Sequence, residues 1–141
     1  MKENIFKGAT ATAGVYHIVL AFIGLFLSAE MTARASEIAL GVTLKIDSQL
    51  MLVARFAAAY MLAFGIMLLF IASNPRRFRL FAFAAVVLFG IRFLNRILLF
   101  NLVSSTFGMS ATRNVIGTAI IFVFFALIFL TMPKKSEATA S

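Results

Sequence analysis

Long apolar runs, separated by short polar segments, make up most of the chain. Four of these runs lie at about residues 8–28, 50–72, 80–101 and 114–132. A helix of about 20 residues crosses a bilayer core about 30 Å thick, and each run has that length. Because backbone amides in lipid must pair within their own segment, we predict four transmembrane helices.

Polar and helix-stopping residues separate these runs. Ser73, Asn74 and Pro75 end the second run, because proline cannot continue a helix and restricts the residue before it. The tightness of this turn predicts that the second and third helices are antiparallel neighbours. The segment Ser104–Thr112 contains Gly108 and predicts a second short loop, and Pro133 ends the fourth helix.

The connection between the first two helices, residues 29–49, is the longest and carries five charged side chains. Periodicity leaves both a short interfacial helix and a strand open for residues 38–46. Lys2 and Lys7 also resemble the start of a signal peptide. The apolar run that follows is longer than the usual 7–15 residues of such peptides, so we interpret it as a retained helix.

The composition indicates that lipid is the main solvent of the chain. Of the 141 residues, 62% are hydrophobic and 13% are charged. An average soluble domain has about 25% charged residues, and a soluble monomer of this size could not cover its surface with so few. We therefore expect an all-α integral membrane protein, a four-helix bundle in one domain at residues 1–133, and a disordered tail at residues 134–141.

The basic residues predict the direction of the helices. Seven Lys and Arg flank the helices on one side and three on the other, and the net charge is +8. Positive flanks stay in the cytoplasm, so we predict a multi-pass protein of the bacterial inner (plasma) membrane with both termini and the tail cytoplasmic. Cations between apolar runs indicate contact with membrane lipids and not with nucleic acid. The seven are Lys2, Lys7, Arg76, Arg77, Arg79, Lys134 and Lys135, and the three are Arg34, Lys45 and Arg113.

Missing residue types exclude several kinds of site. The chain has no cysteine and one histidine, so it cannot form a disulfide, a thiolate metal site or a haem site with two histidines. No carboxylate lies within a predicted helix, so pairs of groups for acid–base catalysis are scarce. We expect no metal and no cofactor, and we favour a non-enzymatic protein over an enzyme.

Three arginines lie inside the predicted helices, where each costs about 2.5–3.5 kcal/mol at a helix centre. From the rise of 1.5 Å per residue, Arg55 and Arg96 each lie about 7 Å from the outer ends of their helices. Arg92 is one turn deeper than Arg96 and on the same face. We predict that the three side chains converge on one polar pocket that opens to the outer side.

Polar residues near the same depth are the candidate partners of these arginines. Glu30 and Asp47 lie at the outer ends of the first two helices, and Glu37 lies between them. Two interpretations stay open: a structural network of ion pairs, and a pocket whose arginines bind a carboxylate or phosphate. The candidate ligand-binding residues are Arg55, Arg92, Arg96, Glu30, Asp47, Asn95, Asn114 and His17.

His17 lies near the middle of the first helix, within a stripe of small residues. Ala13, Ala21, Gly24 and Ser28 recur at helical spacing on its face, and such a stripe lets another helix approach closely. We expect His17 to be buried at a helix contact as a neutral, hydrogen-bonded side chain. A proton relay or a ligand contact is the alternative.

Three short motifs lie in a characteristic order along the chain. They are Asp47 before a helix that opens with Arg55-Phe-Ala-Ala-Ala-Tyr60, then Asn74-Pro75-Arg76-Arg77, then Gly90-Ile-Arg92 with Asn95-Arg96. This order resembles a family of uncharacterised four-helix bacterial membrane proteins, sometimes called BphX-like. The resemblance implies the four-helix architecture and marks Arg55, Arg92 and Arg96, but it implies no activity.

The arginines favour a non-enzymatic membrane module. Such a module binds a lipid or a small anionic molecule in an outward-facing pocket, or it is an accessory subunit of a larger membrane complex. The alternative is a small anion transporter or channel. Membrane lipids are the expected partners, and an oligomer stays open.

Overall fold

The computed structural model describes residues 1–133, which form six α-helices and no strand. The helices are α1 (Lys2–Phe26), α2 (Ala29–Leu40), α3 (Ser48–Ser73), α4 (Arg79–Leu98), α5 (Phe100–Phe107) and α6 (Ala111–Thr131). Four of them, α1, α3, α4 and α6, are long and apolar enough to cross a membrane, as the sequence predicts. The predicted disordered tail lies outside the described residues.

Side chains next to the helix ends explain where several helices begin. Ser28, Asp47 and Ser110 precede α2, α3 and α6, and each accepts a hydrogen bond from a backbone N–H three residues later. Helices α2 and α5 end at Gly41 and Gly108, whose φ angles are 67° and 60°. Glycine adopts this left-handed conformation without a steric cost, so the local sequence specifies these ends.

The two connections at the outer ends of the predicted spans are more helical than the sequence predicts. Most of α2 precedes the segment 38–46, for which the sequence left a helix and a strand open. Residues 41–47 are neither helix nor strand. The predicted loop Ser104–Thr112 is wrong in its first part, because α5 continues to Phe107. Ser105 donates to the carbonyl oxygen of Leu102 at 3.2 Å, which lets this polar residue stay within a helix.

The four long helices form a ring in the order α1, α3, α4, α6, in which each helix contacts the next. The most extensive contact joins α1 and α3. Helices α3 and α4 are neighbours, as their tight turn predicts, but they touch less than the other pairs in the ring. Consequently α1 and α4 face each other across the centre of the bundle.

Glycines allow the close contact between α1 and α3. A Cβ atom built on Gly14 would lie 2.9 Å from the carbonyl oxygen of Gly65, and one built on Gly65 would lie 2.8 Å from that of Gly14. A Cβ atom on Gly24 would lie 2.7 Å from the Cβ of Ala58. These distances are shorter than van der Waals contact, so the two backbones can approach only because the side chains are absent.

Charged side chains mark one end of the bundle. Arg76 Nη2 lies 3.3 Å from Glu3 Oε2, and Arg79 Nε donates to the carbonyl oxygen of Pro133 at 3.0 Å. The start of α1, the turn after α3 and the end of α6 are therefore at the same end. We call it the basic end, defined by Lys2, Lys7, Arg76, Arg77 and Arg79, and we call the opposite end, with α2 and α5, the loop end.

Replacing Gly24 by leucine should destabilise the protein, because the added side chain would force α1 away from α3. Overpacking of this kind costs about 1–3 kcal/mol. Gly8→Leu is the matched control on the same helix, since a Cβ at Gly8 meets nothing within 4 Å. Thermal unfolding in detergent, followed by circular dichroism, should show a lower Tm for Gly24→Leu alone. Equal Tm values for the two variants would contradict this description of the contact.

Candidate functional site

His17 and Arg92 meet at the centre of the bundle. His17 lies on α1 and is 2% exposed, and Arg92 lies on the facing helix α4. Arg92 Nη1 is 2.6 Å from His17 Nε2. Helices α1 and α4 are not neighbours in the ring. This hydrogen bond is therefore a side-chain link between two helices that face each other across the bundle.

The hydrogen bonds of His17 determine its protonation state. Its Nδ1 is 2.7 Å from the carbonyl oxygen of Ala13, which can only accept, so Nδ1 carries the hydrogen. The guanidinium of Arg92 can only donate, so Nε2 has none. This geometry requires a neutral imidazole, and it agrees with the prediction that His17 is buried and uncharged.

Phenylalanine rings surround the imidazole of His17. The ring centroids of Phe64 on α3 and Phe89 on α4 lie 5.0 Å and 5.9 Å from that of His17, both edge to face. Phe89 stacks on Phe124 of α6 at 6.3 Å. All four long helices therefore contribute to one aromatic layer, which we call the phenylalanine layer, at the level of His17.

Arg96 lies one turn from Arg92 on the same face of α4, as the spacing predicts. Its Nη2 is 3.3 Å from Met109 Sδ, and a Cβ atom on Gly117 would lie 3.3 Å from the same nitrogen. Gly117 thus leaves room on α6 for the guanidinium. Arg96 Nε is buried and has no hydrogen-bond partner within residues 1–133. An unpaired buried donor is costly, so Arg96 Nε is a donor that is available to an acceptor.

Asn114 is fully buried at the start of α6, three residues before Gly117. Its Nδ2 donates to the carbonyl oxygen of Phe100 and to the hydroxyl of Ser104, both at 2.9 Å. Its Oδ1 is buried and has no partner among the described residues. Asn114 therefore holds α5 against α6 and presents one unused acceptor at the loop end.

The third arginine, Arg55, makes no side-chain hydrogen bond or ion pair within residues 1–133. It is exposed on α3. The backbone of its neighbour Ala54 and the side chain of Ala58 face Gly24 of α1, and this packing turns Arg55 outward. The predicted convergence of three arginines is therefore wrong for Arg55.

The predicted carboxylate partners do not pair with these arginines either. Glu30, Glu37 and Asp47 are exposed, and Asp47 uses its carboxylate to accept from Leu50 N–H at 2.7 Å. Within residues 1–133 the ion pairs involve Glu3, which contacts Lys7 at 3.2 Å and Arg76. The structural network of ion pairs is thus absent from the described part of the chain, and Asn95 is exposed outside the cluster.

Comparison with known proteins does not assign a family, since no protein-family model, no curated protein and no solved structure matches this chain. The resemblance to the four-helix bacterial family stays a prediction. Function is therefore inferred from the geometry of His17, Arg92 and Arg96.

Removing both partners of the His17–Arg92 contact should destabilise the protein less than the sum of the two single removals. His17→Leu leaves the guanidinium without its acceptor, and Arg92→Met leaves the imidazole without its donor. In a double-mutant cycle we expect a coupling free energy of about 0.5–3 kcal/mol, measured by denaturant unfolding in mixed micelles. The control cycle of His17→Leu with Arg55→Met should be additive. Additivity in both cycles would show that the contact contributes nothing.

Proposed function

We propose that this chain is a non-enzymatic integral membrane protein that binds the anionic group of a lipid or small molecule at Arg92 and Arg96. One observation supports the proposal: the two half-buried guanidinium groups lie one turn apart, and no carboxylate of residues 1–133 pairs with either. Two uncompensated cations within a membrane-spanning bundle are costly. A carboxylate or phosphate bound between them offsets that cost.

The two guanidinium groups have donors to spare for such an anion. Each has five N–H donors in a plane. His17 accepts one from Arg92, and the weakly accepting sulfur of Met109 accepts one from Arg96. Arg96 Nε has no acceptor among the described residues. The oxygens of a phosphate or carboxylate match this planar set, because they accept two parallel hydrogen bonds from one guanidinium.

An apolar groove on the same part of α4 as these arginines favours a lipid as the source of the anion. The groove has a volume of about 350 Å³ and lies between α4 and α6, with Phe93, Ile97 and Phe122 among its lining residues. Phe93 and Ile97 directly follow Arg92 and Arg96 in the sequence. An acyl chain in this groove would place its head group near the arginines. With both termini in the cytoplasm of a bacterial cell, as the basic flanks favour, that lipid belongs to the outer leaflet.

A small anion transporter or channel is the alternative, and it needs a polar path through the bundle. Between the arginines and the basic end lie the phenylalanine layer and an apolar core. Phe6, Leu68 and Ile128 of that core are fully buried. A charged solute would lose its hydration in this region without gaining polar partners, which supports binding over conduction.

The protein purified with its membrane lipids should retain an anionic lipid or small anion, seen as a mass adduct in native mass spectrometry. Arg92→Met and Arg96→Met should lose the adduct while circular dichroism shows unchanged helix content. Arg55→Met removes the same charge from an exposed site and is the matched control, so it should keep the adduct. Equal retention in all variants, or equal loss in the control, would contradict the proposal.

Reconstitution into liposomes separates binding from transport. We expect no chloride or fluoride flux above that of protein-free vesicles. Flux that disappears in Arg92→Met but persists in Arg55→Met would contradict the binding function and support an anion channel or transporter.

A further inference from the structure

We propose that the basic end holds a second lipid site, in which an anionic phospholipid inserts an acyl chain between α3 and α4 and places its phosphate on Arg77. This site lies at the opposite end of the bundle from Arg96. It does not depend on the function proposed for Arg92 and Arg96.

The loose contact between α3 and α4 leaves a groove near their turn. Its volume is about 350 Å³, and every side chain that lines it is apolar. Ala63, Met67 and Phe70 contribute from α3, Phe78 contributes from the turn just before α4, and Phe81 contributes from the first turn of α4. A surface of this chemistry suits an acyl chain and offers nothing to a polar ligand.

The turn between α3 and α4 places a cation next to this groove. The backbone N–H of Arg77 donates to Asn74 Oδ1 at 3.1 Å, which fixes the turn. The guanidinium carbon of Arg77 lies 5.6 Å from the ring centroid of Phe78, a cation–π contact. Since Phe78 itself lines the groove, the cation of Arg77 lies where a head group would emerge.

Arg77 differs from the other arginines of the turn in its partners. Arg76 pairs with Glu3, and Arg79 donates to the carbonyl oxygen of Pro133. The side chain of Arg77 is exposed and makes no hydrogen bond or ion pair within residues 1–133. Its N–H groups are therefore available to a phosphate.

Charge and shape together select an anionic phospholipid as the occupant. The cations of the basic end outnumber its one described carboxylate, Glu3, and each basic residue near an anionic lipid surface contributes about 1 kcal/mol. An extended peptide in the groove would leave its backbone amides unpaired, because the walls offer no hydrogen-bond partner. A zwitterionic lipid would bring its own cation close to Arg77.

Lipid titrations of the purified full-length chain test this site. Phosphatidylglycerol and phosphatidylcholine with the same acyl chains are added in detergent, and bound lipid is counted by native mass spectrometry. Arg96→Met serves as the background, so that the first site does not contribute. We expect tighter binding of phosphatidylglycerol, and Arg77→Gln should weaken it about fivefold without changing phosphatidylcholine binding. Arg76→Gln removes the same charge from the same turn and should weaken it less.

Filling the groove tests the position of the acyl chain. Ala63→Trp should weaken the binding of both lipids, because the indole occupies the groove. Ala57→Trp lies on the same helix, is also exposed, and is outside the groove, so it should leave both affinities unchanged. Equal affinities of the Arg96→Met protein for the two lipids, equal losses in Arg76→Gln and Arg77→Gln, or equal effects of the two tryptophans would overturn the proposal.

Discussion

The site depends on one constraint: the guanidinium of Arg92 lies at the centre of an apolar bundle. Its protein acceptor is a neutral imidazole and not a carboxylate, so the hydrogen bond is satisfied while the positive charge remains. His17 can accept only because its Nδ1 hydrogen is already donated to Ala13 within the same helix. One turn of α1 thus prepares the acceptor, and the phenylalanine layer packs around it. The retained charge is the reason that we propose an anion from outside the chain as its partner.

Unequal contacts between the helices position Arg92 against His17 and create both grooves. Gly14 and Gly65 bring α1 and α3 together so closely that the two helices act as one packed unit. Helix α4 packs mainly on α6, and Gly117 of α6 makes space for Arg96. Of the four contacts in the ring, the one between α3 and α4 is the loosest, because the small residues of α3 face α1. The same packing that positions the arginines therefore leaves a groove beside the basic turn.

The sequence predicts the parts of this structure that depend on local pattern. Four apolar runs of membrane-spanning length predict the four long helices, and the spacing of four residues predicts that Arg92 and Arg96 share a face. The small residues around His17 predict its burial. Asp47 and the serines before α2 and α6 also have the pattern of helix caps, which would have predicted α2.

The rotation of each helix about its axis depends on packing that the sequence does not specify. Arg55 has the correct depth to join the other arginines, but the contact of Ala58 with Gly24 turns it outward. Depth along a helix follows from the residue number, whereas direction follows from which neighbouring helix packs most closely. The hydrogen bond between Arg92 and His17 could not be predicted for the same reason. Their helices are not adjacent in the ring, and the sequence positions of the two residues do not show that their side chains meet.

The tautomer of His17 tests the central claim most directly, because the chain has one histidine and its signals are therefore unambiguous. Nitrogen-15 NMR of the protein labelled at histidine, in lipid bilayers at neutral pH, should show a neutral ring with hydrogen on Nδ1 and none on Nε2. The Arg92→Met variant should keep hydrogen on Nδ1, because the bond to Ala13 remains, but its Nε2 signal should shift, because Nε2 no longer accepts a hydrogen bond. A ring protonated at Nε2 in the wild type, as the other neutral tautomer or as imidazolium, would contradict the contact with Arg92.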